Sequence, residues 1–301
     1  METIYPSKLL LFGEHSVLKG SNALAIPFPH FQAKWKFDKF NFKEKQQKLP
    51  DLLAYLKQLQ NGGKLLTNLD LDRFTDELSK GIYFASSIPT GYGLGSSGAL
   101  CAAIYHRYGP DYKNSSLNNL KAQLAQIESF FHGSSSGIDP LIIYLRKGIL
   151  IHSSKGIESI PDAKMPSFES TDFFYFILDT HTERKTAPLV NWFLSQCEVP
   201  SFHKLVTEEL NHYIDDIISA FLSGNYKSVF KNFEKISRFQ FEHLAQLIPT
   251  NSLKLWEASL HQNDISIKLC GAGGGGFLLG MAKKEAMESP WFQELDTIII
   301  S

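Results

Sequence analysis

The sequence predicts an α+β protein, and three stretches carry that expectation. Residues 81–104 run from an apolar strand (Gly81 to Ala85), through a turn with Pro89, Gly91, Gly93 and Gly95, into a helix of small and apolar residues. Residues 187–262 are dominated by helical spacings, read as Ala187 to Gln196, His203 to Ser223, Tyr226 to Leu247 and Ser252 to Gln262. Residues 265–279 set apolar strands on both sides of a glycine run. Strand and helix periodicities thus occur in separate blocks along one chain.

With 301 residues, 43% of them hydrophobic and 20% charged, the chain is long enough for two domains with a substantial core. The expected division is 1–165 and 166–301, and the polar stretch 155–171, with two prolines, reads as the crossover. A formal net charge of -1 leaves no strong field for nucleic acid or an anionic membrane. Phosphate would therefore have to be bound by placed groups. Cys101, Cys197 and Cys270 are scattered, have no zinc spacing and read as reduced thiols of a cytoplasmic protein. The opening METIYPSKLL lacks the basic start and apolar run of a secretory signal, and no stretch is apolar for long enough to span a bilayer.

In chain order, residues 7–18 (SKLLLFGEHSVL) read as a strand interrupted at Gly13, Glu14 and His15. A turn (Lys19 to Asn22) and a second run (Ala23 to Pro27) make a hairpin. Residues 31–37 alternate as a strand with one wet face, and the charged residues 38–48 read as an exposed turn. Leu52, Leu53, Leu56 and Leu59 have helical spacing, with Asp51 as a cap and Asn61-Gly62-Gly63 as the stop. Asn114, Ser115 and Ser116 offer caps for a helix from Leu117 to Phe131. Its buried stripe is Leu117, Leu120, Leu124, Ile127 and Phe131. Glu128 falls in that helix's last turn, where a carboxylate opposes the dipole by roughly 0.3–1 kcal/mol. It is either an ordinary surface glutamate or the ligand of a cation. The polar loop His132 to Pro140 is a usual place for site residues, although Asp139 before a proline also suits a plain turn. Phe173 to Leu178 is an apolar strand, and Asp179 to Thr186 is the polar turn after it. Phe230, Phe233, Phe239 and Phe241 read as core, and Lys227, Lys231, Lys235 and Arg238 as a solvated face. The C-terminal DTIIIS reads as a strand.

The turn at residues 86–104 has the chemistry of an anion cradle. Glycines let the backbone come close to a ligand, and the following helix points its N–H groups and positive dipole end into the loop. Ser96 and Ser97 add hydroxyls. The loop lacks the lysine of the Walker pattern, and it puts serine where the dinucleotide fingerprint needs its third glycine. Alone, it could be only a strand-to-helix joint. Near the end of the chain, Gly271-Ala272-Gly273-Gly274-Gly275-Gly276 would be entropically costly as a mere link between strands. A backbone passing very close to a ligand or another loop accounts for it better.

Lys-x-x-Leu-Phe-Gly-Glu-His near the start, Pro-x-Gly-x-Gly-Leu-Gly-Ser-Ser in the middle and Gly-Ala-Gly-Gly-Gly-Gly near the end occur in that order. Together they resemble the three motifs of the GHMP kinases (galactokinase, homoserine kinase, mevalonate kinase, phosphomevalonate kinase), across nearly the whole chain. The resemblance implies the GHMP kinase fold, with an N-terminal domain like ribosomal protein S5 domain 2 and a ferredoxin-like C-terminal domain. Within the family the chain looks most like the mevalonate kinase branch, by KLLLFGEHSVLKG, by Glu128 followed by HGxxSGxD, and by DTHTERKT. Gly98 departs from the usual alanine after the double serine, and the insert between residues 38 and 82 is short.

The roles below are what that resemblance implies. ATP and Mg2+ would be the cofactors and mevalonate the acceptor, giving 5-phosphomevalonate in isoprenoid biosynthesis. Pro89, Gly91, Gly93, Leu94, Gly95, Ser96, Ser97 and Gly98 would bind the nucleotide, and Ser97 and Glu128 the metal. Asp139 would take or orient the hydroxyl proton, with Lys8 stabilising charge. The acceptor side would comprise Lys8, Glu14, His15, Asp139, Arg184, Thr186, Gly271, Ala272, Gly273, Gly274 and Gly275. Related enzymes are often dimers, so a homodimer is compatible with the resemblance. Two alternatives stay open: another kinase of the fold, acting on phosphomevalonate, homoserine or a sugar, and a non-catalytic small-molecule-binding regulator.

Overall fold

The computed structural model describes residues 3–40, 42–46, 48–112 and 116–300. The chain forms two compact units, one of Met1–Lys8, Ile26–Pro89 and Leu94–Lys147, the other of Leu9–Ala25, Thr90–Gly93 and Gly148–Ser301. Strand β1 (Ile4–Phe12) is followed by a 3-10 turn at Ser16–Lys19 and by β2 (Ala23–Phe37), its neighbour in the sheet. The two runs expected around Pro27 and Pro29 are therefore one strand. Its other partners meet it only at 23–25 and 33–37, so the prolines, which have no N–H to donate, lie where neither partner is paired.

In the first unit, α1 (Phe42–Gln46) and α2 (Leu49–Asn61) come next. The expected exposed turn over 38–48 is thus partly helical, because Gln46 is buried and its amide donates to the carbonyls of Leu78 and Ile82. Asp51 is not the cap of α2. It lies in the first turn, after Lys48 at the cap and Pro50 at the start, where proline's missing N–H costs nothing. Helix α3 (Leu71–Ser79) is capped by Asp70 and leads to β3 (Ile82–Ser86), antiparallel to β2 with Phe37 opposite Ile82. Then follow α4 (Ser96–Tyr108), α5 (Leu117–His132) and α6 (Ile138–Leu145), and α4 packs against both others. Small residues permit that approach: Ala99, Cys101, Ala102 and Ala103 of α4 are fully buried. Leu120, Leu124 and Ile127 of α5 are buried as its period requires, whereas Leu117 and Phe131 are half-buried. Ser116 caps α5, accepting from Asn119 N, while Asn114 and Ser115 lie outside the described residues.

In the second unit, β4 (Gly148–His152) pairs with Ala23–Ala25 of β2 and with β5 (Gly156–Ile160). The stretch 155–171 is therefore not simply a crossover: its first residues form a hairpin strand with Ile157 opposite Ile151. Next come β6 (Phe173–Asp179), α7 (Thr186–Gln196), α8 (Pro200–Leu205), a π-helical turn at Val206–Leu210, and α9 (Asn211–Leu222). The helix expected over 203–223 is thus one continuous helical run over residues 200–222, with a π-helical turn inside it. Helix α10 (Tyr226–His243), α11 (Leu253–Ser259), β7 (Ile265–Leu269), β8 (Phe277–Lys283), α12 (Pro290–Gln293) and β9 (Thr297–Ile300) complete the chain. The antiparallel order β7-β8-β6-β9 is that of a ferredoxin-like sheet. Its β6 is buried from Phe173 to Leu178, with Phe230, Phe233 and Phe239 of α10 also in the core. All three cysteines are free and buried. Among the described residues, no helix is long and apolar enough to cross a membrane.

Candidate active site

In the first unit, Pro89 and residues 94–98 of the glycine loop converge with both predicted catalytic residues, whereas Gly91 and Gly93 belong to the second unit. The amide of Lys8 in β1 donates to the carbonyl of Leu94 at 3.0 Å, which ties the strand to the loop. Gly95 takes a left-handed φ of 79° and starts α4, with its carbonyl accepting from Ala99 N. Helix geometry leaves the amides of Ser96, Ser97 and Gly98 without intrahelical acceptors, so the predicted anion cradle is built as a helix N-terminus. Ser96 and Ser97 are half-buried, as is Pro89 on the approach to the loop.

Asp139 lies in the first turn of α6 rather than in a plain turn. Its Oδ1 is 3.0 Å from Lys8 Nζ, with the lysine side chain 9% exposed and the aspartate 36%. The lysine is thus held inside while the carboxylate keeps a face that a ligand can reach. Gly98 explains how α4 comes so close. A Cβ there would lie 3.0 Å from Pro140 N and 3.1 Å from Asp139 Cβ, so the departure from alanine accompanies a tight α4–α6 crossing at Asp139.

Glu128 is buried, so it is not the ordinary surface glutamate. Ser97 Oγ donates to its Oε1 at 3.1 Å, and Ser135 Oγ donates to its Oε2. Burial first, and then the Asp139 charge, push the Glu128 carboxyl above its usual range, while Ser135, Ser97 and Lys8 pull the other way. A hydroxyl beside a buried carboxylate that is short of positive charge fits Mg2+, a hard cation that takes oxygen ligands. Two contributors had no role in the sequence reading: Ser135, and His132, whose Nε2 is 3.0 Å from Ser97 Oγ. His132 did stand as the histidine of HGxxSGxD, but Ser135 had no signal beyond the polar H-G-S-S-S-G run, which marks a loop without ranking its side chains.

In the second unit, the turn after β1 is fastened to the C-terminal glycine run and to β7 before it. His15 Nε2 is 3.0 Å from the carbonyl of Ala272, and the Glu14 carboxylate pairs with the ammonium of Lys268. Both side chains of that ion pair are fully buried. Lys268 also donates to the carbonyl of Leu269 at 2.8 Å and lies over the rings of Phe12 and Phe233. Burial pulls its ammonium down to about 7, with Cys270 acting the other way. His15 has a left-handed φ of 58° and rests on Phe193. Burial, and secondarily the Arg184 charge, lower it to about 4 against the pull of the Ala272 carbonyl. The neutral ring therefore donates from Nε2, which leaves Nδ1 as a buried acceptor without a hydrogen-bond partner.

Arg184 donates from Nη1 to the carbonyl of Cys270 at 3.0 Å, and its amide donates to that of Gly91 at 3.1 Å. Its guanidinium occupies the space over Gly93, where a Cβ would lie 1.5 Å from Nη2, and approaches Gly271. The glycine run does pass close to other backbone: a Cβ on Gly275 would lie 2.4 Å from the carbonyl of Thr182. Gly273 and Gly274 similarly meet Leu247 and Leu189, and Thr186 is the exposed first residue of α7.

The comparisons agree with this architecture. Residues 60–147 match the GHMP kinases N terminal domain. A mevalonate kinase of Thermococcus sibiricus is 24% identical over 316 residues, covering 94% of this chain and 89% of that protein. The crystal structure of L. major mevalonate kinase in complex with R-mevalonate superposes with a TM-score of 0.63 at 16% identity, over 100% of this chain and 96% of that one. Streptococcus pneumoniae phosphomevalonate kinase, in complex with phosphomevalonate and AMPPNP, gives 0.65 at 16% identity over 100% of both chains. With the glycine loop built as a helix N-terminus, the chain is similar to the small-molecule kinases of the GHMP superfamily, the mevalonate kinases among them.

Proposed function

We propose that this protein transfers the γ-phosphoryl group of ATP to mevalonate, giving 5-phosphomevalonate and ADP. The observation that carries the mechanism is the Lys8–Asp139 pair, 3.0 Å apart, in the same unit as the start of α4. The acceptor rests on sequence likeness to proteins named mevalonate kinase, because fold likeness extends equally to a phosphomevalonate kinase.

Asp139 would take the proton of the acceptor hydroxyl as its oxygen bonds to the γ-phosphorus and the bond to the β,γ-bridging oxygen breaks. Lys8 would hold the carboxylate in position and stabilise the negative charge gathering on the transferred group. The first-turn amides of α4, with Ser96, would cradle the phosphates. Ser97 and Glu128 would hold Mg2+, which when bound neutralises charge on the phosphate oxygens. Phosphoryl transfer needs in-line positioning and charge stabilisation rather than a covalent nucleophile, and these groups supply both. Glu14, His15, Arg184, Thr186 and residues 271–275 are assigned to the acceptor.

The test is a coupled ADP-release assay with Mg-ATP and mevalonate, phosphomevalonate, homoserine or galactose. Turnover with mevalonate alone is the expected result. Turnover with another acceptor would overturn the substrate while leaving the phosphoryl chemistry intact.

A further inference from the structure

We propose that His132 and Ser135 are positioning residues that free Ser97 and Glu128 to hold a divalent cation. This rests on the function proposed above and adds two side chains outside the ligand pair.

The argument is an inventory of protons. Ser97 Oγ carries one proton and has two neighbours able to accept it, Glu128 Oε1 at 3.1 Å and His132 Nε2 at 3.0 Å. If the proton points at Glu128, hydroxyl and carboxylate satisfy each other and neither has a lone pair turned toward a cation between them. If it points at His132, the Ser97 lone pairs and Glu128 Oε1 are both available. A neutral imidazole with its proton on Nδ1 accepts there, and His132 is exposed, so water can satisfy that Nδ1–H. His132 ends α5 one turn beyond Glu128, which keeps its ring on the ligand side of the helix.

Ser135 fixes the other half of the carboxylate. Its hydroxyl accepts from the Gly137 amide at 2.9 Å and donates to Glu128 Oε2. The backbone bond occupies one of its two lone pairs, and the single proton goes to Glu128. One carboxylate oxygen is thereby anchored and the other presented. Gly137, left-handed with φ 74°, is also the cap of α6, so the same short loop sets Glu128 and starts the helix carrying Asp139. Partners that orient metal ligands in this way typically contribute about 10–100-fold in metal affinity.

The test uses the full chain and reads binding. ADP affinity is measured by calorimetry in Mg2+ and in EDTA, and Mn2+ affinity of the ADP complex by electron paramagnetic resonance, for the wild type, His132→Leu, His132→Gln and Ser135→Ala. His132→Leu is expected to lose about 10–100-fold in cation affinity while ADP affinity in EDTA and the melting temperature hold. His132→Gln, whose amide oxygen can accept, should recover most of that loss, and Ser135→Ala should weaken the cation less. Unchanged Mn2+ affinity in His132→Leu would overturn the proposal, as would an equal loss in EDTA, which would place the ring on the nucleotide. A wild type whose ADP affinity ignores Mg2+ would overturn the metal reading itself and this inference with it.

Discussion

The ammonium of Lys8, nearly sealed from solvent in β1, meets the half-exposed carboxylate of Asp139 at 3.0 Å in the first turn of α6. The buried cation and the more exposed anion give the pair a direction, with the aspartate on the solvent side. Asp139→Asn keeps the shape and removes the basicity. Turnover should fall by about 10²–10⁴-fold, as expected for loss of a general base, with ADP affinity retained. Steady-state kinetics beside calorimetry checks this, and an active variant would remove Asp139 from its role.

Gly98→Ala tests the crossing of α4 and α6. Alanine is the better helix residue by up to about 1 kcal/mol, but its Cβ would press on Asp139 and Pro140 at 3.0–3.1 Å. Stability should change little while kcat falls by about tenfold or more, since small misplacements of a catalytic group are costly. Thermal melts and kcat on the same preparation separate the two effects.

Lys268→Met leaves the Glu14 carboxylate buried without its partner, at a cost of about 3–5 kcal/mol. The double variant Glu14→Gln/Lys268→Met removes both charges and should regain most of that loss. Urea denaturation of the three proteins checks the ordering. A single variant as stable as the wild type would mean that the pair contributes nothing.

His15 gives a pH dependence of stability. Its pKa is about 4 when folded, against 6.5 for the free side chain, so the unfolded chain binds more protons between those values. The contribution is complete above pH 6.5 and is lost as pH falls towards 4. About 2 kcal/mol should disappear between pH 7 and pH 5. Melting temperatures across that range should fall more steeply for the wild type than for His15→Gln, and parallel curves would remove His15 as the cause.

Much of this was legible where a residue type has few uses. Three glycine-bearing motifs in order marked the fold, and a glutamate against the dipole of α5 marked Glu128 as unusual. Other features depended on the path of the chain. Lys268 reads as one polar residue in a strand, and only the assembled sheet shows that it is fully buried on Glu14. His132 and Ser135 sat in a serine-rich loop whose course no periodicity predicts. Residues 155–171 looked like a linker because Ile157 and Ile160 are too few to signal a strand until β4 lies beside them.

The Glu14–Lys268 pair also constrains how the protein is made. Residues 9–25 belong to the second unit but leave the ribosome before nearly all the rest of it. At about 5–20 residues per second, Glu14 waits on the order of 10–50 s for Lys268 to be translated. Throughout that interval the Glu14 carboxylate has no ammonium to pair with. The second unit therefore closes only at the end of synthesis, when its last strands join residues that were made first.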